Sequence, residues 1–204
     1  MNPSIFFAET KKVLCGNGKR PSTQENRGRF NVKRSIKDRP QEVENRKTFG
    51  HWELDTMVSS RGQSKGCLAT FVERKTRFYV AMKMDDRTKA SMFLAISSLY
   101  NTLTSKLLKT FTVDRGKEFA CFEQVETEFG IPMYFADAYA AWQRGSNENS
   151  NGLLREFFPK KTDLAKVTLD KLTEALVLIN NRPRKCLRFK TPFDMFKHEI
   201  KKLI

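Results

Sequence analysis

The chain has 204 residues, with 38 Lys and Arg against 23 Asp and Glu, for a formal net charge of +15 at pH 7. That length suits one sizeable core plus tails, and the excess of positive charge favours a polyanionic partner. No apolar run approaches the roughly 18 residues of a membrane-spanning helix, and Cys15, Cys67, Cys121 and Cys186 lie far apart without a CxxC pair, so neither a membrane, a zinc site nor a disulfide framework is expected. A reducing, cytoplasmic setting fits this cysteine usage.

Residues 16–47 are polar, punctuated by Gly18, Pro21, Gly28 and Pro40, and dense in Lys and Arg. Residues 1–47 therefore read as a basic, largely disordered N-terminal arm and linker, with the folded domain expected over residues 48–204. Residues 51–58 read as a strand, followed by a turn over 59–66 that contains Gly62 and a second strand over 68–72. Phe78, Val80, Met82 and Met84 alternate with Tyr79, Ala81 and Lys83, the period-two pattern of a third strand, which completes an antiparallel meander. Met92, Phe93, Ile96, Leu99, Tyr100 and Leu103 fall at helical spacing and form one apolar face. Residues 107–113 read as a short strand ending at Asp114, and residues 118–129 as a helix stopped by Gly130 and Pro132. A fifth strand is expected over 133–136 and a helix over 146–158, broken by Pro159. Leu169, Leu172, Leu176 and Ile179, then Phe193, Phe196 and Ile200, give a final helical pair. This order predicts an α/β fold with a mixed five-stranded sheet and helices on its faces, because short turns link the first three strands and helices link the rest.

Asp55, Asp114 and Glu148 each sit where an apolar segment meets a turn or a polar helix start. Carboxylates in such places are disfavoured by strand propensity and by desolvation, so their convergence requires a counter-charge. Hard oxygens suit magnesium or manganese, and two such ions about 4 Å apart can activate a nucleophile and stabilise a leaving oxygen in phosphoryl transfer. Taken singly, two of the three have local explanations. An acid at a helix start gains roughly 0.3–1 kcal/mol from the helix dipole, which accounts for Glu148, and Asp before Arg115 and Gly116 is a common turn choice. Asp55 shares strand parity with Glu53 and Met57, so it either faces solvent or lies in a polar cleft.

Three stretches carry a resemblance: Gly50-His51-Trp52-Glu53-Leu54-Asp55-Thr56, Val113-Asp114-Arg115-Gly116-Lys117-Glu118-Phe119, and Trp142-Gln143-Arg144-Gly145-Ser146-Asn147-Glu148-Asn149. They resemble the motifs of the IS-thirty family of insertion-sequence transposases, and the 33 residues from 115 through 147 that separate Asp114 from Glu148 fit its spacing. Further matches are Gly152-Leu153-Leu154-Arg155 with Phe158-Pro159-Lys160, then Asn180-Asn181-Arg182-Pro183-Arg184-Lys185, and Thr191-Pro192-Phe193. The resemblance implies a ribonuclease-H-like, retroviral-integrase-like DDE catalytic domain with C-terminal helices, its triad being Asp55, Asp114 and Glu148. It also implies two Mg2+ or Mn2+ ions on those carboxylates, metal-dependent DNA strand cleavage and transfer, DNA (element ends and target) as partner, a homo-oligomer on DNA, and a bacterial cytoplasmic, nucleoid-associated location.

Among the remaining polar groups, Glu118 reads as an acid in the first turn of its helix, and Glu53 as a supporting group roughly 7 Å along the strand from Asp55. Arg144, Lys160, Arg182, Arg184 and Lys185 are candidates for phosphate contact, with surface solubility the competing explanation for each. His51 reads as a structural neighbour of Trp52. Family members carry an N-terminal helix-turn-helix region that reads the inverted repeats, and residues 1–14 are too short for one. The expectation is a truncated reading frame, whose alternative role is that of an unproductive DNA-binding remnant interfering with intact transposase. Leu54 stands where the family has Gly, a change of little consequence if the side chain enters the core.

Overall fold

The structure, a computed structural model, describes residues 32–60, 64–103, 105–138 and 140–203. Its strands are β1 (His51–Val58), β2 (Cys67–Glu73), β3 (Tyr79–Met84), β4 (Thr110–Val113) and β5 (Met133–Phe135). Its α-helices are α1 (Gln41–Glu44), α2 (Lys89–Thr102), α3 (Phe122–Phe129), α4 (Gly145–Phe157), α5 (Leu169–Asn181) and α6 (Pro192–Lys201). The strands form one five-stranded sheet of order β3-β2-β1-β4-β5. β2 is antiparallel to both β1 and β3, while β4 is parallel to β1 and β5 to β4. This is the mixed sheet that the linking segments predict, since parallel neighbours need a crossover.

Alternation along β1 sorts its apolar side chains onto two buried faces. Trp52 and Leu54 enter one core with Ile96 and Leu99 of α2, Val125 of α3 and Phe196 of α6. Met57 enters the other with Leu154 of α4 and Leu172, Ala175 and Ile179 of α5. Leu54 is fully buried, so its side chain is core packing. Helices on both faces bury every residue of β2, as expected for a strand covered twice. Thr88, Thr168 and Thr191 cap α2, α5 and α6 by accepting the N–H of the residue three further on, each stabilising its helix by about 1 kcal/mol. Gly130 closes α3 at φ 67°, where left-handed backbone favours glycine.

Three stretches differ from the sequence reading. Leu107 belongs to a 3-10 turn (Ser105–Leu107) rather than to β4; it is apolar because it is buried, and its carbonyl accepts the Trp52 indole N–H at 2.9 Å. A 3-10 helix (Lys117–Cys121) precedes α3. The arm expected over residues 1–47 divides: residues 1–31 lie outside the described residues, as do residues 61–63 of the expected Gly62 turn, whereas residues 32–47 are part of the fold. Ser35 bridges Phe135 in parallel fashion and the Phe135 N–H donates to the Arg34 carbonyl at 3.0 Å, which covers the edge of β5. Ile36 and Val43 are buried, Arg39 donates to Thr112 Oγ1 at 2.9 Å and pairs with Glu44, and Arg74 Nε donates to the Val43 carbonyl at 3.2 Å. Basic composition predicts an open linker, but these charges have carboxylate and carbonyl partners and two apolar side chains seal the contact. The opposite edge, β3, is covered by Asn180, which accepts the Tyr79 N–H at 2.9 Å and donates to its carbonyl at 2.8 Å.

His51 is buried, with Nδ1 2.8 Å from Thr110 Oγ1. Burial pushes its pKa down to about 4, against the opposing pull of Glu42. Since a free imidazole titrates near 6.5, the unfolded chain takes up the proton first, and stability falls as pH drops from 6.5 towards 4. The expected loss by pH 4.5 is roughly 2–3 kcal/mol, measured by urea denaturation across this range and largely absent in His51→Asn. A pH profile identical in the two proteins would assign the acid loss elsewhere.

Candidate active site

The last paired residues of the parallel neighbours β1 and β4 are Glu53 and Thr112. Two residues further along each strand direction stand Asp55 and Asp114, which the same register sets side by side. Neighbouring strands are about 4.8 Å apart, so two carboxylates at one level repel unless a cation lies between them. Arg144 provides it, with guanidinium nitrogens 3.3 Å from Asp55 Oδ1 and 3.2 Å from Asp114 Oδ2. Each carboxylate has further partners. Asp55 accepts the Thr56 N–H at 2.8 Å and the Asn151 side-chain amide at 3.1 Å. Asp114 accepts the Gly116 N–H at 2.8 Å, the turn bond expected of Asp before Arg-Gly. Burial holds the Asp55 pKa above the ordinary carboxylate value; Arg144 opposes this and the charge on Asp114 reinforces it.

Helix α4 runs alongside β1, and its contacts step down the strand in order. The Asn147 N–H donates to Glu53 Oε2 at 2.9 Å, Asn151 reaches Asp55, and Arg155 donates to the Val58 carbonyl at 2.9 Å. The start of the helix is fixed most firmly. The Asn147 side chain donates to the Glu53 carbonyl at 3.0 Å and accepts from Thr70 Oγ1 at 3.1 Å, and fully buried Glu53 forms an ion pair with buried Arg74. Asn151 is oriented in turn by the Tyr79 hydroxyl, which donates to its Oδ1 at 2.6 Å; that bond turns the amide N–H2 towards Asp55.

Glu148 follows Asn147 and stands four residues after Arg144 and three before Asn151, the two residues that reach Asp55. Helical spacing puts its backbone on their stripe. Its side chain is exposed, and among the described residues no three His, Cys, Asp or Glu side chains gather as a metal-holding group. The structure thus brings together Asp55 and Asp114 of the expected triad and places Glu148 on the adjacent helix face. The two gathered donors are hard carboxylate oxygens with a guanidinium charge between them, a donor set that fits a hard divalent cation.

Arg144, one of the candidates for phosphate contact, lies between the two aspartates. If a divalent ion competes with that guanidinium, Arg144→Gln is expected to tighten Mn2+ binding about tenfold or more, because charge-assisted hydrogen bonds of about 1.5–3 kcal/mol no longer have to be broken. Equal affinities by isothermal titration would contradict the competition. Of the other basic candidates, Lys160 and Lys185 are exposed, Arg182 pairs with Glu156 at 3.0 Å on the surface, and Arg184 lines a cavity with Arg46 and Arg77.

Glu118 is more than a helix-start acid. It is buried, accepts from Thr56 Oγ1 at 3.0 Å and from Arg87 Nε at 2.6 Å, and so abuts the strand residue next to Asp55. Gly116 leaves room for it, since a Cβ there would lie 2.5 Å from Glu118 Oε2. Sequence reasoning did not single out Asn151, Asn147 or Arg74. The available signal was spacing for Asn151, one helical turn beyond Asn147 and Glu148; nothing local marks Arg74.

Residues 45–141 match the family model described as Integrase core domain. The chain is 38% identical over 185 residues to "Transposase InsI for insertion sequence element IS30C" of Escherichia coli (strain K12), covering 90% of this chain and 48% of that protein. It is 36% identical over 188 residues to "Transposase for insertion sequence element IS1086" of Cupriavidus metallidurans, covering 92% of this chain and 53% of that protein. The chain therefore spans about half the length of these curated relatives. Its fold matches that of the catalytic core domain of BIV integrase with a TM-score of 0.60 at 19% identity, over 77% of this chain and 100% of that chain. No helix among the described residues is long and apolar enough to cross a membrane.

Proposed function

We propose that this chain, which carries an integrase core domain and is related to IS30-type transposases over 90% of its length, cuts and joins DNA strands as the catalytic part of an insertion-sequence transposase. The observation that carries the reading is the Asp55 and Asp114 pair, set at one level by neighbouring parallel strands and held by Arg144. Asp55 and Asp114, joined by Glu148 from α4, are the residues that hold divalent ions, two of Mg2+ or Mn2+. When bound, such ions supply charge stabilisation for phosphoryl transfer and a nucleophile at neutral pH.

The chain's own residues do the positioning. β1 and β4 fix the separation of the two aspartates, Asn151 and the Thr56 N–H orient the Asp55 carboxyl, and the Glu53, Arg74 and Asn147 network anchors the first turn of α4. Arg144 neutralises the pair in the absence of a cation, and once displaced is placed to meet a phosphate. Trp142 is 75% exposed two residues before Arg144 and presents a flat apolar surface on which an unpaired base can stack. The net charge of +15 draws the polyanionic substrate. DNA is the partner, both element end and target; copies of the chain assemble on it, in the bacterial cytoplasm.

The reading is tested by incubating the protein with a pre-nicked duplex bearing the ends of its element, with Mg2+ or Mn2+, and resolving products on a denaturing gel. Nicked or joined strands that depend on metal are expected. Salt-sensitive DNA binding without products in either metal would overturn the proposal and favour a DNA-binding remnant.

A further inference from the structure

A cavity of about 330 Å3 lies at the start of α4, walled by Arg46, Arg77 and Arg184 together with Ser146, Asn149 and Cys186. The three arginines come from separate turns: after α1, between β2 and β3, and between α5 and α6. None of the described lining residues is acidic. Elsewhere in the fold Arg39 pairs with Glu44, Arg74 with Glu53, Arg87 with Glu118 and Arg144 with two aspartates. Here Arg77 donates to the Ser146 hydroxyl, Arg184 donates to the Ile179 carbonyl at 3.3 Å, and Arg184 Nε is buried without a hydrogen-bond partner. Burial lowers the pKa of both Arg77 and Arg184, and neighbouring arginines lower it further (Arg46 for the first, Arg182 and Arg77 for the second), against the opposing pull of Cys186 on both, of Glu53 on Arg77 and of Glu156 on Arg184.

The same turns carry the four non-glycine residues with positive φ among those described: Arg46 at 52°, Arg77 at 63°, Arg188 at 54° and Phe189 at 63°. Each such residue costs roughly 1–2 kcal/mol, and strain of this kind persists where surrounding structure fixes it and clusters at ligand sites. Three guanidinium groups facing one cavity whose described lining holds no carboxylate form a setting that suits an anion. Guanidinium forks match the oxygens of a phosphate, and the Ser146 hydroxyl at the start of α4 adds a polar group to the same wall.

We propose that this cavity is a phosphate site, separate from the Asp55 and Asp114 pair, that seats one backbone phosphate of a DNA strand lying across the start of α4. It rests on the DNA-processing reading for its source of phosphate. Asn147 and Glu148 are then flanked by Ser146 and Asn149, so the helix turn that carries Glu148 is set by β1 on one side and by bound phosphate on the other.

Cys186 provides the probe. It is exposed in the cavity wall, whereas burial raises the Cys67 thiol to about 11 and the Cys121 thiol to about 12. In a Cys15→Ser background, maleimide labelling of Cys186 therefore reports cavity occupancy. With duplex DNA at about ten times its Kd, mass action leaves roughly a tenth of the sites open, so labelling slows about tenfold, while chloride at matched ionic strength has no such effect. Arg184→Gln restores labelling in the presence of DNA, and Arg46→Gln, at an exposed position, lowers the salt dependence of DNA binding by about one log unit of affinity per log unit of salt. Protection by inorganic phosphate but not by duplex would keep the phosphate site and assign it a free phosphate source. Unchanged labelling with both, in a sample whose fluorescence anisotropy shows the duplex bound, would overturn the site and leave the DNA reading intact. Failure to bind duplex at all, without strand joining, would overturn the DNA reading instead, while the inorganic phosphate arm still decides the cavity.

Discussion

Asp55→Asn is expected to slow strand joining by about a thousandfold or more, since several kcal/mol of metal-based charge stabilisation are withdrawn and each 1.36 kcal/mol is tenfold in rate. Asparagine keeps the shape of the side chain, so the loss is one of charge rather than of packing. The fold gains, if anything: burial already raises the Asp55 pKa and the charge on Asp114 adds to it, so neutralising one carboxylate removes a repulsion. DNA affinity is therefore expected to stay near that of the parent. Single-turnover strand transfer in Mg2+ and in Mn2+, beside anisotropy with the same duplex, separates the two effects. A variant that joins strands at the parent rate would show that this pair is not where the chemistry occurs.

Arg74→Met is expected to destabilise the protein by about 3–5 kcal/mol, the cost of leaving one partner of a buried ion pair uncompensated. Arg74 is 2% exposed and Glu53 is fully buried, and besides Glu53 the guanidinium reaches the Val43 carbonyl at 3.2 Å and lies 3.9 Å from Glu44. Its loss therefore loosens two things at once, the docking of residues 39–44 on the sheet and the anchorage of α4 through Glu53 and Asn147. Pairing it with Glu53→Gln is expected to recover part of the stability, because the orphaned charge goes too. Chemical denaturation of the two single variants and the double variant measures this. A change below about 1 kcal/mol for Arg74→Met would place the pair among surface-like ion pairs and remove it from the account of how α4 is held.

The strands and helices were legible because their signals are local and repeated. Alternation over residues 51–58 and 78–84 fixes which side chains enter the core, Gly130 needs a left-handed backbone where α3 ends, and link length decides which strands run parallel. Leu107 reads as part of β4 because an apolar residue is equally content in a buried 3-10 turn; what sets that turn is the Trp52 indole bonding its carbonyl, a contact 55 residues away in sequence. Residues 32–47 dock for a similar reason. Their basic composition suits an open linker, and only Glu126, Thr112 and the free edge of β5, distant in sequence, show that they dock.

The site was legible in position and less so in role. Residue chemistry left Asp114 a turn residue and Glu148 a helix-start acid, and motif order raised both to candidate ligands. Asp114 turns out to do two things, bonding the Gly116 N–H as a turn residue does and sharing Arg144 with Asp55. Arg144 itself shows the limit of reading long side chains from sequence: an exposed basic residue and one folded back between two carboxylates have the same spelling. Glu53 was recognised by parity as a supporting group, but its partner Arg74 lies on the far side of a hairpin and carries no local mark.

The most direct test is anomalous diffraction from crystals of this chain soaked in Mn2+. The account predicts manganese at the Asp55 and Asp114 carboxylates, with Glu148 as a further ligand and Arg144 withdrawn from between them. Crystals with no manganese at these carboxylates, and with Arg144 still bridging both aspartates, would contradict it.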